Sequence, residues 1–182
     1  MAITRLMTAE ALAALPADGY QYDLIDGELR RMFPPGAEHG EIAFELSRRI
    51  GNYVVERGRG RVYAAKTGFL LRRDPDTVLA PDLAFVQAER LPPRAERRGY
   101  LPLAPDLVVE VASPSDRPAE IQQKVGCYLD AGIRLVWIAD PSACTVAVYR
   151  PGHPPLVLHQ DDTLDGADVL PDLQIPVTDL FQ

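Results

Sequence analysis

Apolar residues recur with helical spacing in two long stretches of the chain. A first stripe, within about residues 38–57, consists of Ile42, Leu46, Ile50, Tyr53 and Val54, and this period is typical of a helix with one buried face. A second pattern of the same kind covers residues 118–131 and ends at Gly132, which suits a helix C-terminus. A short helix is also predicted after Thr8, a suitable N-cap, and before Pro16.

Most of the remaining apolar positions predict β-strands. Asp26-Gly27 is flanked by strand-forming residues and indicates a tight hairpin turn. RVYAAKTGFLLR predicts one bent or two short strands with a bulge near Gly68, and RLVWIAD, CTVAVYR and PLVLHQ predict three consecutive strands before a short LQIPV strand. We therefore expect residues 1–182 to form a single α/β (α+β) domain, with flanking helices around one mixed β-sheet and extra antiparallel strands.

Composition restricts the class of protein more than its activity. Of the 182 residues, 47% are hydrophobic and 25% are charged, which is usual for a globular protein. The sequence predicts no membrane-spanning helix, signal peptide or organic cofactor, so we expect a cytoplasmic protein. Cys127 and Cys144 match neither a zinc nor a redox motif and are interpreted as buried thiols.

Charge leaves the question of a nucleic-acid partner open. The formal net charge is −7, but residues 140–182 hold seven acids and one base, so the rest of the chain is nearly neutral. Arginine pairs such as Arg30-Arg31 suit phosphate binding, although most such pairs are simply solvated.

Glu110 interrupts an otherwise apolar strand, LVVEVA. Strand alternation sets Val108, Glu110 and Ala112 on one face and Leu107, Val109 and Val111 on the other. A buried carboxylate must be paired, protonated or bound to a metal, because removing it from water is costly. Glu110 therefore needs a partner.

Asp82 is the candidate partner, at the start of a short strand that follows Pro81. With the main-chain carbonyl of Val111, the two carboxylates would form an all-oxygen site suited to Mg²⁺ or Mn²⁺. The alternative is that Asp82 caps a turn and that Glu110 pairs with an arginine.

Lys124 is the candidate lysine of this site. The chain has only two lysines, Lys66 and Lys124, and the helical wheel sets Lys124 at the edge of the sheet-facing stripe, where the small Ala112 leaves room for its amine. A lysine of lowered pKa beside a metal can activate water. The alternative is a surface lysine paired with Glu120.

These residues resemble the PD-(D/E)XK nuclease superfamily, with Pro81-Asp82 as the PD element and Glu110-Val111-Ala112 as a degenerate (D/E)XK element. More closely, the chain resembles a bacterial restriction-endonuclease-like family long catalogued as a domain of unknown function. The resemblance spans YDLIDGELRRMFPPGAEHGEIAFEL, PDLAFV, PDLVVEVASPSD and AGIRLVWIADP.

The resemblance implies a sheet core with flanking helices and divalent-metal-dependent cleavage of DNA by Asp82, Glu110 and Lys124. It also indicates Glu28, which would hold a second metal through water or orient Lys124, and His39, whose alternative is a capping or core role.

Three functions therefore remain open at this point. The chain is an active endonuclease, or an inactive nuclease fold that binds DNA or a protein, or a fold whose buried acids merely pair with arginines. Because cutting both DNA strands needs two active sites, we also expect a homodimer.

Overall fold

The computed structural model describes residues 6–16 and 18–182. The prediction that the N-terminus is not a signal peptide concerns residues 1–20, of which residues 1–5 and 17 lie outside the described residues. The helices are α1 (Ala9–Ala13), α2 (Ala37–Glu56) and α3 (Pro118–Asp130), with short 3-10 turns at Ala88–Arg90, Arg94–Glu96 and Val177–Leu180. All three predicted helices form, and Thr8 caps α1 by accepting a hydrogen bond from the Ala11 N–H. Within the described ranges, none of the helices is long and apolar enough to cross a lipid bilayer.

Within the described part of the chain, twelve short strands make up the rest of the regular structure. They are β1 (Gln21–Ile25), β2 (Glu28–Met32), β3 (Gly60–Ala64), β4 (Phe69–Arg72), β5 (Thr77–Leu79), β6 (Leu83–Gln87), β7 (Leu107–Val111), β8 (Leu135–Asp140), β9 (Thr145–Tyr149), β10 (Leu156–Leu158), β11 (Thr163–Asp165) and β12 (Gln174–Pro176). The predicted hairpin forms between β1 and β2, where Asp26 and Gly27 both have positive φ as a tight turn requires.

These strands form three sheets rather than the one mixed sheet predicted. A six-stranded mixed sheet has the order β10-β9-β8-β7-β6-β3, a four-stranded sheet has the order β2-β1-β5-β4, and β11 pairs with β12. Only β7 and β8 run parallel in the six-stranded sheet, because α3 connects them, whereas the other neighbours are antiparallel. The predicted class, an α+β fold with a mixed sheet and extra antiparallel strands, is confirmed.

The six-stranded sheet is covered on both faces. On one face, α2 and the C-terminal segment pack over Leu107, Val109 and Val111. On the other face, α3 contributes Val125 and Tyr128 to a cluster that contains Val108. Glu110 follows the alternation of Val108 and therefore lies on the α3 side, at the end of β7.

The opposite end of β7 carries a buried acid of a different kind. Asp106 is 1% exposed, and its carboxylate contacts Arg90 at 2.7 Å and Arg134 at 3.1 Å. It also accepts a hydrogen bond from the Gln87 N–H at 2.8 Å. Pairing with arginine therefore satisfies this acid.

We expect Asp106→Ala to lower the free energy of unfolding by about 3 kcal/mol, because it removes one partner of a buried ionic network. Urea denaturation measures this loss through the fluorescence of Trp137. This residue is the single tryptophan of the chain and is fully buried. A variant as stable as the wild type would contradict the structural role assigned to Asp106.

Candidate active site

Two neighbouring strands bring Asp82 and Glu110 together. In the antiparallel β6–β7 pair, Leu83 lies opposite Val109. Continuing that register by one residue sets Asp82, just before β6, opposite Glu110. The Val111 N–H donates a 2.8 Å hydrogen bond to Asp82 Oδ2 and holds this carboxylate in place. The two acids named from the sequence thus meet at one end of the sheet.

Lys124 reaches the acids from α3. Its Nζ lies 3.2 Å from Glu110 Oε1 and donates a hydrogen bond to it. The side chain of Lys124 is only 16% exposed. Its amine therefore faces the sheet, and the alternative of a surface lysine paired with Glu120 does not hold. Lys66, the other lysine, is exposed in a turn between β3 and β4.

Asp23 is a member of the site that the sequence analysis missed. This residue of β1 is fully buried, and its Oδ2 lies 3.0 Å from Lys124 Nζ. That contact is ionic, because it lies outside hydrogen-bond geometry. The Ala80 N–H donates to the other oxygen, Oδ1, at 3.0 Å. The signal that identified Glu110, an acid inside a strand, was also present here in YQYDLI.

Tyr128, on α3, also belongs to the site, although the sequence analysis did not name it as a site residue. Its hydroxyl donates a hydrogen bond to Glu110 Oε1, the same oxygen that Lys124 contacts. Among the described residues, the side-chain partners of Glu110 are thus a lysine and a tyrosine, and none of them is an arginine. The interpretation that Glu110 forms a buried acid–arginine pair therefore fails, whereas it describes Asp106 well.

His39 lies in the first turn of α2 and contacts Asp82. Its Nε2 is 3.1 Å from Asp82 Oδ2, and its side chain is only 11% exposed. The hydrogen bond to Asp82 raises the pKa of His39 above its ordinary value, although burial acts in the opposite direction. The structure thus brings His39 to the acid pair, in contact with Asp82.

Glu28 does not reach these residues. It lies opposite Ile25 beside the hairpin turn, its side chain is 64% exposed, and its carboxylate pairs with Arg30 at 3.0 Å. The predicted role of Glu28 in orienting Lys124 is therefore corrected. Asp23 rather than Glu28 contacts Lys124. The reason is that β2 is an edge strand of its sheet, whereas β1 lies nearer to α3.

Burial and mutual repulsion control the charges of the site. Desolvation raises the pKa of Glu110 to about 7, and the charges of Asp82 and Asp23 act in the same direction while Lys124 opposes them. Burial alone would lower the pKa of Lys124, but attraction by Glu110 and Asp23 outweighs it and raises the pKa above the ordinary value. The expectation of a lysine with a lowered pKa is therefore wrong for this structure, since two carboxylates stabilise its ammonium form.

The site lies in a cleft of about 440 Å³. Its walls come from the β1–β2 hairpin, the start of α2, the end of β7 and the first turns of α3. The acids and Lys124 lie deep in the cleft, since their side chains are at most 17% exposed. A reactant must therefore enter the cleft to reach them.

The carboxylate oxygens of Asp82 and Glu110 fit a hard divalent cation that keeps part of its hydration shell. Within residues 6–16 and 18–182, no three His, Cys, Asp or Glu side chains are grouped so as to hold a metal ion alone. However, Asp82 Oδ1 and Glu110 Oε2 accept no hydrogen bond from the described residues. Mg²⁺ is commonly bound through one or two carboxylates, with water and substrate oxygens completing its shell.

The chain is similar to one described family and to a solved structure. Residues 9–178 match the family model Uma2, described as "Putative restriction endonuclease". The crystal structure of "a putative nuclease belonging to DUF820" from Anabaena variabilis has a TM-score of 0.84 to this chain at 23% identity, covering 96% of this chain and 97% of the other. At this identity the likeness shows the fold alone. No curated protein matches the chain.

For the metal-free protein, we expect Glu110→Gln to remove a pH dependence of stability. A carboxyl with a folded-state pKa of about 7 and an ordinary value of 4.5 binds a proton more tightly when folded, so its contribution to stability is complete below pH 4.5 and is lost as the pH rises to about 7. The variant should therefore gain stability relative to the wild type across this window. Urea titrations in EDTA at several pH values measure the difference, and a constant difference would contradict the raised pKa.

Proposed function

This chain belongs to the Uma2 family, and we propose that it is an endonuclease that hydrolyses DNA phosphodiester bonds with the help of a divalent cation. The observation that carries the proposal is the set of Asp82, Glu110 and Lys124 at one end of the six-stranded sheet. Two carboxylates in register, a buried ammonium group and a cleft in front of them are the parts that metal-assisted hydrolysis requires.

The proposed ligands of the cation are Asp82, Glu110 and the main-chain carbonyl of Val111. When bound, Mg²⁺ or Mn²⁺ would lower the pKa of a coordinated water and neutralise charge on the scissile phosphate. Asp23, Asp82 and Glu110 bring up to three negative charges into the cleft, and Lys124 with a protonated His39 brings two positive ones. A further cation would therefore be favourable there.

Lys124 acts in this proposal as a fixed positive charge. Because its pKa is raised, it donates hydrogen bonds rather than accepting a proton. Its ammonium group would orient the attacking water and stabilise the negative charge that develops on the phosphate oxygens. Asp23 and Glu110 hold the ammonium in position, while His39 and the Val111 N–H hold Asp82.

A second candidate function is an inactive nuclease fold that binds DNA or a protein. The contacts of Lys124 favour it, because an internal ammonium group already compensates part of the charge of Glu110 and Asp23. In such a protein, the ion pairs would be structural and no cation would be needed. Metal binding separates the two candidates. The expected homodimer and cytoplasmic location remain predictions.

We expect the purified protein to nick supercoiled plasmid DNA in Mg²⁺ or Mn²⁺, and we expect Asp82→Ala to lower the rate by at least roughly 100-fold. Even the partners that merely orient metal ligands contribute about 10–100-fold to activity. Gel assays of nicked plasmid measure the rate, and Asp161→Asn, at an exposed acid outside the cleft, is the control. Equal nicking by wild type and Asp82→Ala would overturn the proposal.

Isothermal titration of the metal-free protein with Mn²⁺ should give one binding event that disappears when Asp82→Ala and Glu110→Ala are combined. Both substitutions remove a carboxylate oxygen from the proposed cation shell. A wild-type protein that takes up no Mn²⁺ would instead support the inactive module. Circular dichroism checks that the double variant is folded.

A further inference from the structure

The β1–β2 hairpin forms one wall of the catalytic cleft, and its outer strand carries a basic side chain towards the acids. Arg30 lies opposite Asp23 in the β1–β2 register, and Asp23 contacts Lys124. Neighbouring strands are about 4.8 Å apart, so Arg30 lies one strand further out from the buried lysine on the same face of the hairpin. It also lines the cleft.

Arg30 is available to bind an anion. Its one ionic partner among the described residues is Glu28, at 3.0 Å, and the two side chains are 46% and 64% exposed. Exposed ion pairs of this kind contribute little to stability, because water screens them. The guanidinium can therefore exchange the carboxylate of Glu28 for a phosphate, which it can contact with two parallel hydrogen bonds.

An exposed aromatic ring lies one residue beyond the end of β2. Phe33 lines the cleft and is 69% exposed, so its ring is accessible to a ligand. The guanidinium carbon of Arg31 lies 5.4 Å from the centre of the Phe33 ring and 3.2 Å from that of Tyr20. Aromatic rings beside arginines provide stacking surfaces for bases that are not paired within a duplex.

The size of the cleft also favours an unpaired strand. A volume of about 440 Å³ is in the range of pockets that enclose a small ligand. The carboxylates and Lys124 lie at its bottom with little exposure. A single nucleotide can enter such a space, whereas a base inside a duplex must first leave its stack.

We propose that the β1–β2 hairpin binds an unpaired nucleic-acid strand, with Arg30 on a backbone phosphate next to the scissile one and Phe33 stacked on a base. This proposal rests on the proposed function for the position of the scissile phosphate. It assigns a substrate class, single-stranded or locally unpaired DNA, to the cleft. It also gives Glu28 a role, since its carboxylate holds Arg30 in the free protein.

The test is equilibrium binding of the full chain to one labelled oligonucleotide, as a single strand and as a duplex, in EDTA over a range of salt concentrations. Two matched controls exist on α2, outside the cleft. Arg48 is also 46% exposed and paired with a glutamate of its own element, Glu45. Phe44 is 68% exposed. The variants are Arg30→Gln against Arg48→Gln, and Phe33→Ala against Phe44→Ala.

We expect the wild type to bind the single strand more tightly than the duplex. Arg30→Gln should reduce the slope of log affinity against log salt by about 0.7 for the single strand, since one phosphate contact is lost. Phe33→Ala should weaken single-strand binding roughly tenfold with an unchanged slope. The two α2 variants should bind as the wild type does.

The inference is overturned if Arg30→Gln and Phe33→Ala bind like their controls, if the wild type prefers the duplex, or if it binds neither form. These outcomes are separate from cleavage. A protein that nicks DNA but is insensitive to both substitutions retains the nuclease function and loses the hairpin site. A protein that binds as expected but does not nick retains the hairpin site and loses the nuclease function.

Discussion

The site depends on the burial of Asp23 and Glu110 against the ammonium group of Lys124. Charges removed from water must be compensated locally, so these three side chains stay in place only if their three supporting elements do. Asp23 belongs to the four-stranded sheet, Glu110 to the six-stranded sheet and Lys124 to α3. The two ionic contacts of Lys124 therefore join the two large sheets and a helix at the point where the proposed chemistry takes place.

The same principle separates acids that support the fold from acids that are available for chemistry. Asp106, at one end of β7, is saturated by two arginines and a main-chain N–H. Glu110, at the other end, has a raised pKa and keeps one oxygen without a described partner. Arginine stays charged and binds with several donors, so it neutralises Asp106 permanently. The cation that we propose would play the corresponding part for Glu110.

Local patterns in the sequence predicted the elements better than their pairing. Glu110 was found because it interrupts an apolar strand, and Lys124 because a helical wheel sets it beside the sheet. Asp23 was missed because Gln21 and the tyrosines around it are typical of a half-exposed strand, and its burial comes from distant elements. Glu28 was misplaced because a sequence does not reveal which strand of a hairpin is outermost. The number of sheets was also not predictable from local patterns, since β1 pairs with β5 across a long separation along the chain.

The antiparallel register of β6 and β7 has a consequence for how this chain tolerates change. Leu83 opposite Val109 aligns Asp82 with Glu110, and a slip of one residue would turn one acid to the other face of the sheet. The strand ladder fixes this alignment, whereas the largely exposed part of the β6–β7 connection, residues 93–99, does not contribute to it. Insertions and deletions in that connection should therefore accumulate during evolution without moving the acids, while a single-residue deletion inside either strand should not survive.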